Sequence, residues 1–436
     1  MRFSSRVGST KLNPIAKAEA EVRSQGIKLE TVNDSNPTKH GLAPKEVPGV
    51  YTAQPRGPLA ARTQLARFLM KRNAEELAAE HPYRNHGVQQ NDDGSTAASI
   101  SSDDDSNLCE TAERRLQDRS APVDPDRLYL LSSTSEAYTW LFKLMCDPGD
   151  IVLGPKPGYP LIESIGGLEN VDTLEYQLRF DGSWFIDVAW LRELLESPKG
   201  RKVQAIVLIN PNNPTGSYIK PDEREALVAL CREHEIAIIA DEVFFDYSLE
   251  PFEGNRRLAG EQGALTFALD GFSKLLAAPH AKVGWIQVSG PKDLVAEAQR
   301  RLDIIADDYL PFSDIIAEQM PELLEAVPGQ LKRVQQRTSA NLKRLHIMLD
   351  EDESGLVSVL RAEGGWNVLL RFPSVIDENA LVLRLIHDFN LTGQPGYYFD
   401  MTENGYLAVS LLPEPAVFER NIKAVLAAVS CELECV

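Results

Sequence analysis

From Leu128 onward the chain repeats one pattern: a short run of Val, Ile and Leu with little polar alternation, then a stretch with apolar residues at helical spacing. The runs are Leu128 to Leu131, Ile151 to Leu153, Val203 to Ile209, Ile236 to Ala240, Thr266 to Leu269 and Val283 to Val288. A strand that is apolar at successive positions buries both faces, which is the condition of a strand inside a mainly parallel sheet covered by helices. Between two of the runs, Pro221 to His234 opens with Pro-Asp-Glu and spaces Ala226, Leu227, Leu230 and Cys231 as a helical crossover does. The pattern predicts an α/β fold with a mainly parallel, doubly wound sheet.

The remainder of the chain follows other rules. Arg301 to Asp350 reads as long helices interrupted at Pro328-Gly329, with Met320, Leu323, Leu324, Val327, Leu331 and Val334 at helical spacing. From Val357 onward, strands (Trp366 to Arg371, Tyr406 to Leu411) mix with helices (Asn379 to Asp388, Pro415 to Val429), the pattern of a smaller α+β domain. A chain of 436 residues exceeds what one hydrophobic core organises. The predicted division is an N-terminal segment 1–48, a large domain 49–309 and a small C-terminal domain 310–436. Residues 84–107, with Ser101-Ser102-Asp103-Asp104-Asp105-Ser106, carry almost no apolar side chains and are expected to be a disordered acidic surface insertion. A docking or modification role is the alternative for such a segment.

A formal charge of −19 opposes association with nucleic acid or acidic membranes. The five cysteines are odd in number and lack the paired spacing of a zinc site, so no metal is expected and reduced thiols in a cytoplasm are the economical reading. No signal-peptide core and no run of about 18 apolar residues appears.

The polar clusters stand where apolar runs end. Gly271-Phe272-Ser273-Lys274 follows one run, Asp241-Glu242-Val243-Phe244 another, and Asn210-Pro211-Asn212-Asn213-Pro214-Thr215-Gly216 a third. A lysine at a strand end is ordinarily a solvated surface residue. Here Phe272, Leu275, Leu276, Ala277 and Ala278 flank Lys274 and would strip water from its amine, which lowers its pKa and favours the nucleophilic form. Asp241 is placed at the carboxyl edge of the sheet, where a buried carboxylate needs a cationic partner. Asn213 is either part of a stiff turn or a side chain that the turn presents. Together an amine for a Schiff base, an anion for a pyridinium nitrogen and a donor for a ring oxygen are what pyridoxal 5'-phosphate requires. Ser133-Thr134-Ser135 opens a helix-like stretch and reads as a phosphate site or as an ordinary N-cap. Lys282 is a second cation for a phosphate. Tyr159 either faces a planar cofactor or belongs to the core.

With these residues assembled, the chain resembles the fold type I pyridoxal phosphate enzymes, specifically the class I/II aminotransferases, from about Tyr51 to the C-terminus outside the acidic insertion. The motifs that carry the resemblance are Asn210 to Gly216, Asp241 to Val243 and Gly271 to Gly284. The resemblance implies a homodimer with active sites at the subunit interface, an amino donor and a 2-oxo acid acceptor as small-molecule substrates, and an N-terminal segment covering the substrate site. Within it Lys274 is similar to the Schiff-base lysine and proton shuttle, Asp241 to the pyridine-nitrogen partner and Asn213 to the donor to the phenolic oxygen. Ser133, Thr134, Ser135, Ser273 and Lys282 fall at cofactor-binding positions, Tyr159 looks like the ring-stacking aromatic, and Tyr51 resembles the tyrosine that reaches the neighbouring subunit's phosphate. Asn36 lies in a stretch similar to the one that folds over the substrate.

Three departures stand out. The family usually has arginine at Lys282 and tyrosine at Phe244, and the arginine that clamps the substrate carboxylate would be expected near Ala408, where none is present. Arg371 and Arg56 are the candidate replacements, Arg371 being equally a surface strand residue. The substrate side is therefore open, and a lyase, racemase or decarboxylase on the same cofactor is the alternative to amino transfer. A non-catalytic cofactor-binding module is the remaining rival.

Overall fold

The apolar runs become strands. Along the chain, β1 spans Glu30–Thr31, β2 Leu128–Leu131, β3 Ile151–Lys156, β4 Asp172–Phe180, β5 Trp184–Ile186, β6 Val203–Ile209 and β7 Ala237–Asp241. They are followed by β8 Thr266–Gly271, β9 Gly284–Ser289, β10 Ser358–Val359, β11 Asn367–Arg371, β12 Leu391–Thr392, β13 Gln394–Pro395 and β14 Tyr406–Ser410. The computed structural model describes residues 13–33, 54–80, 122–250 and 254–435, so Asn36, Tyr51 and the 84–107 segment lie outside the described residues.

Eight strands form one sheet in the order β2-β9-β8-β7-β6-β3-β4-β5. The central pairs β4–β3, β3–β6, β6–β7 and β7–β8 are parallel, whereas β8–β9, β9–β2 and β4–β5 are antiparallel. Every residue of β2, β7, β8 and β9 is buried. The two faces feed separate cores, one with Leu153, Ile206, Leu208 and Ile238 and the other with Val152, Ala205, Val207 and Ile239. Alternation between two apolar cores is why these strands read as unbroken apolar runs.

The direction of the strands decides where their ends fall. The parallel strands β3, β6, β7 and β8 all finish at one edge; Gly271 at the end of β8 pairs with Gly284 at the start of β9, which pairs with Leu131 at the end of β2. That edge therefore collects the segments that begin at Ser132, Pro157, Asn210, Glu242 and Phe272.

The second sheet has four antiparallel strands, β10-β11-β14-β13, and packs with the helices Pro14–Ser24, Glu378–Phe389 and Pro415–Cys435 around Val368, Leu370, Leu385, Leu407 and Phe418. The helix Asp314–Asp350 runs unbroken through Pro321 and Pro328, which corrects the interruption expected at Pro328-Gly329. A proline inside a helix costs about 3 kcal/mol. Met320, Leu323, Leu324 and Val327 are buried in one cluster with Leu65, Phe272 and Leu275, and at about 1.5–3 kcal/mol each their burial exceeds that cost.

Candidate active site

The sheet edge brings Lys274, Asp241, Asn213, Tyr159 and Ser133–Ser135 to one place, each by the end of a different strand. Lys274 sits in the single helical turn Phe272–Leu275 that follows β8 directly. Its carbonyl accepts from Tyr247 Oη at 2.6 Å. Its ammonium nitrogen lies 5.2 Å from the ring centre of Phe244 and 5.1 Å from that of Trp366, two rings that meet edge to face. This buried aromatic surrounding removes water from the amine and brings its pKa down to about 8, against the pull of Asp241 in the other direction. Roughly a tenth is thus neutral and nucleophilic at pH 7, far more than for an ordinary lysine.

Asp241 ends β7 and is buried. Burial pushes its carboxyl up to about 6, while hydrogen bonds from Tyr138 Oη at 2.8 Å and from the Val243 amide hold it down. Tyr138 lies one turn into the helix Thr134–Met145 and is itself buried, so its hydroxyl stays protonated and serves as a donor. Among the described residues the carboxylate has no arginine or lysine hydrogen-bonded to it, and Lys274 is a cation that acts on it. A buried anion of this kind is suited to a cationic ring placed against it.

Asn213 is presented by a loop whose other polar side chains are consumed in holding it. Asn210 Oδ1 accepts from the Ile219 amide at 3.0 Å, and Asn212 Nδ2 donates to Pro157 O at 3.0 Å and to Thr215 Oγ1 at 2.9 Å. Asn213 projects from this frame, and its Oδ1 accepts from Asn367 Nδ2 of β11 at 3.1 Å.

Ser133 caps the helix Thr134–Met145, its Oγ accepting from the Glu136 amide at 3.2 Å, while Glu136 Oε2 accepts from the Ser132 amide at 3.0 Å. The N-cap role and a phosphate site are compatible, because the helix terminus keeps backbone donors and a positive dipole end. The terminus is pressed close to β9: a Cβ on Gly284 would stand 3.0 Å from Ser133 C and 3.1 Å from Thr134 N. Lys282, exposed and in the left-handed region at φ 53°, precedes β9 at the same edge, and half-buried Ser273 lies beside Lys274. Tyr159 is 46% exposed, which separates it from the core, and Asp241 is near enough to raise its hydroxyl pKa, after burial itself.

Two expected substrate residues are not brought to this place. Arg371 is exposed at the far end of β11, opposite Tyr406, roughly 13 Å along the strand from Asn367. Its position fits the surface-strand alternative. The Arg56 guanidinium grips Asp303 with Nε at 2.6 Å and Nη2 at 2.5 Å and lies over the Tyr129 ring, so its fork is already filled. Ala408 is buried against Leu369, its partner in register, and its other partner Gln394 accepts from Asn33 Nδ2.

The structure also adds residues that sequence reasoning had not singled out: Tyr138, Tyr247, Trp366 and Asn367. Tyr138 had a signal, since it follows the helix start at Thr134 by one turn. Trp366 and Asn367 had none, because they come from the other sheet. Beneath the site lies a buried ionic cluster. Arg72 meets Asp270 at 2.9 Å and Asp246 at 3.6 Å, and Arg257 meets Asp246 at 2.6 Å and Glu76 at 2.9 Å. It ties the helix Leu59–Glu80 to the end of β8 four residues before Lys274.

Known proteins share the family and the fold of this chain. The family model for aminotransferase class I and II matches residues 60–419. The chain is 30% identical over 186 residues to an alanine aminotransferase of Mycobacterium tuberculosis, a stretch covering 42% of each protein. It is 28% identical over 170 residues to the glutamate-pyruvate aminotransferase AlaA of Escherichia coli, covering 39% of this chain and 41% of that one. The chain thus spans about two fifths of the length of the curated relatives it matches. Among solved structures, an aminotransferase from Escherichia coli superposes with a TM-score of 0.73 at 18% identity, covering 99% of this chain and 98% of that one. An alanine aminotransferase from Pyrococcus furiosus gives 0.71 at 19% identity, covering 98% and 100%.

Proposed function

Because the chain belongs to the class I and II aminotransferase family, we propose that it is a pyridoxal 5'-phosphate-dependent aminotransferase, moving an amino group between an amino acid or amine and a 2-oxo acid. The observation that carries the reading is the pairing of a water-stripped lysine with a buried aspartate that, among the described residues, lacks an arginine or lysine hydrogen-bond partner, delivered by adjacent parallel strands.

The residues present fit the cofactor. Asp241 would hold the pyridine nitrogen, Asn213 the phenolic oxygen, Tyr159 the ring face, and Ser133, Thr134, Ser135, Ser273 and Lys282 the phosphate. When bound, pyridoxal 5'-phosphate supplies an aldehyde to capture an amine and a ring that accepts the electron pair left when a C–H bond beside nitrogen breaks.

This chain's own residues do the rest. Lys274 Nζ, neutral in part because Phe244 and Trp366 exclude water, would take the proton from the substrate α-carbon and hold it for return. Tyr138 donates to Asp241 and favours its charged form, so that the anion faces the ring when needed. The Lys274 backbone is held by Tyr247, which keeps the amine from swinging out of line between the two proton positions.

The reading extends to a homodimer with shared sites and to a cytoplasmic enzyme. The exposed apolar side chains Ile304, Tyr309, Leu310 and Ile315 support an interface. Among the described residues no helix is long and apolar enough to cross a membrane, and no group of metal-binding side chains occurs.

The test is spectroscopic. The purified protein is expected to show a visible cofactor absorbance that Lys274→Ala removes, to lose it on mixing with an amino donor and to regain it with a 2-oxo acid. A cofactor band that no donor in a broad amine panel bleaches reversibly would defeat the amino-transfer reading.

A further inference from the structure

The segment 362–367 enters the site from the second sheet and stitches together both loops that carry cofactor-side residues. The amides of Glu363 and Gly364 donate to Gly216 O at 3.0 and 2.9 Å, closing on the asparagine loop. Gly365 N donates to Tyr247 O at 2.7 Å, and the amides of Leu249 and Glu250 donate to Glu363 O at 2.8 and 3.0 Å, closing on the loop after Asp241. The Glu363 carboxylate accepts from the Tyr218 amide at 2.9 Å and from Lys220 Nζ at 2.8 Å. Gly216, at φ 69°, has no room for a side chain: a Cβ would lie 2.7 Å from Ala362 Cβ and from Gly364 O.

This stitched segment ends in Trp366 and Asn367. The Trp366 ring contacts the Lys274 amine, and Asn367, 7% exposed, donates to Asn213 Oδ1 at 3.1 Å. An asparagine amide is two-faced, an acceptor on one side and two donors on the other. With its oxygen engaged by Asn367, the side of the Asn213 amide left to serve another partner is its NH2, a donor. Phe244, the nearest ring on the aspartate loop, brings no hydroxyl that would donate alongside it.

We propose that Asn367 is a positioning residue: it fixes the amide of Asn213 so that this side chain donates to the cofactor's phenolic oxygen, and through it the second sheet sets the protonation of the lysine-bound cofactor. The inference rests on the cofactor reading above. A donor to that oxygen disperses its negative charge and lowers the affinity of the neighbouring nitrogen for a proton, so losing the donor moves the protonation midpoint upward.

The experiment is a pH titration of the visible band in the cofactor-loaded enzyme. Asn367→Asp keeps the shape, loses both donors and attracts the Asn213 NH2, turning that amide over. The expected result is an upward shift of roughly one to two pH units, the size of one hydrogen bond to a charged group. Part of any shift would come from the new charge alone, so the titration is repeated with Asn213→Ala. The proposal expects Asn213→Ala itself to raise the midpoint and Asn367→Asp to add much less to it than to the wild type. Asn367→Ala, which introduces no charge, is expected to give a smaller upward shift that is likewise absent beside Asn213→Ala. Equal shifts in both backgrounds, or no shift in either, would overturn the proposal while leaving the cofactor reading intact. A wild-type protein with no visible band would overturn both.

Discussion

The carboxyl edge of the eight-stranded sheet and the facing strands of the second sheet approach the same lysine, but they are organised by different rules. At the sheet edge each chemical group follows the end of its own strand, and parallel pairing brings the ends together whatever lies between them. On the facing side, the polar contact comes from the first residue of β11, while Ala408 is closed off by Leu369 and Arg371 is carried to the surface. The sheet-edge side of the candidate site is thus built from repeated local units, and the facing side from one particular path of the chain. Of the three departures from the family's usual residues, Lys282 and Phe244 stand at the sheet edge and Ala408 on the facing side.

The sharpest way to break this comparison is at its anchor. Lys274→Ala is expected to remove the visible band and to lower amino transfer by more than about 10⁴-fold, since both capture and proton movement pass through one amine. Residual transfer above a hundredth of the wild type would show that another group shares the role. Next in size is the support beneath the edge. Arg72→Ala leaves Asp270 and Asp246 short of a buried cation and should cost about 3–5 kcal/mol in urea unfolding; a cost under about 1 kcal/mol would mean that the cluster does not hold the edge.

Tyr138→Phe should be smaller, about 1–2 kcal/mol in cofactor affinity, from the loss of one hydrogen bond to a buried carboxylate. Unchanged affinity would detach Tyr138 from the site. The pH dependence of cofactor capture by the cofactor-free protein separates the halves in another way. The Lys274 pKa is lowered to about 8, so protonation below that value removes the nucleophile. The capture rate should fall about tenfold per pH unit below 8 and level off above it. A midpoint near the ordinary lysine value would show that Phe244 and Trp366 do not exclude water. The smallest effect is expected on the facing side: Arg371→Ala should change the KM for carboxylate substrates by less than about twofold. A tenfold rise would return Arg371 to the site.

How much of this was legible follows from the same division. Lys274, Asp241 and Asn213 could be found because a strand end is marked by the residue at which an apolar run stops, and the run needs no partner to be seen. Tyr159 could be named but not placed, since a tyrosine after a strand suits a core as well as a site until its exposure is known. The helix through Pro321 and Pro328 was misread because local propensity was the only term in view, and the burial that outweighs it comes from Leu65, Phe272 and Leu275. The charges of Arg72, Arg257, Asp246 and Asp270 gave no hint of burial, because such residues are ordinarily exposed and their pairing spans distant parts of the chain.

The sequence by itself determined the α/β class and the strand-end lysine, aspartate and asparagine, because periodicity and strand termination are local properties, and the motifs at those strand ends carried the resemblance to the family. Only the tertiary structure decided that Tyr138 serves Asp241, that Asn367 meets Asn213, that Arg56 is engaged by Asp303 and that Arg371 is carried to the surface. The Asn367 contact depends on which segment the second sheet lays across the edge, and both it and the Tyr138–Asp241 bond join residues more than a hundred positions apart, for which no local pattern exists.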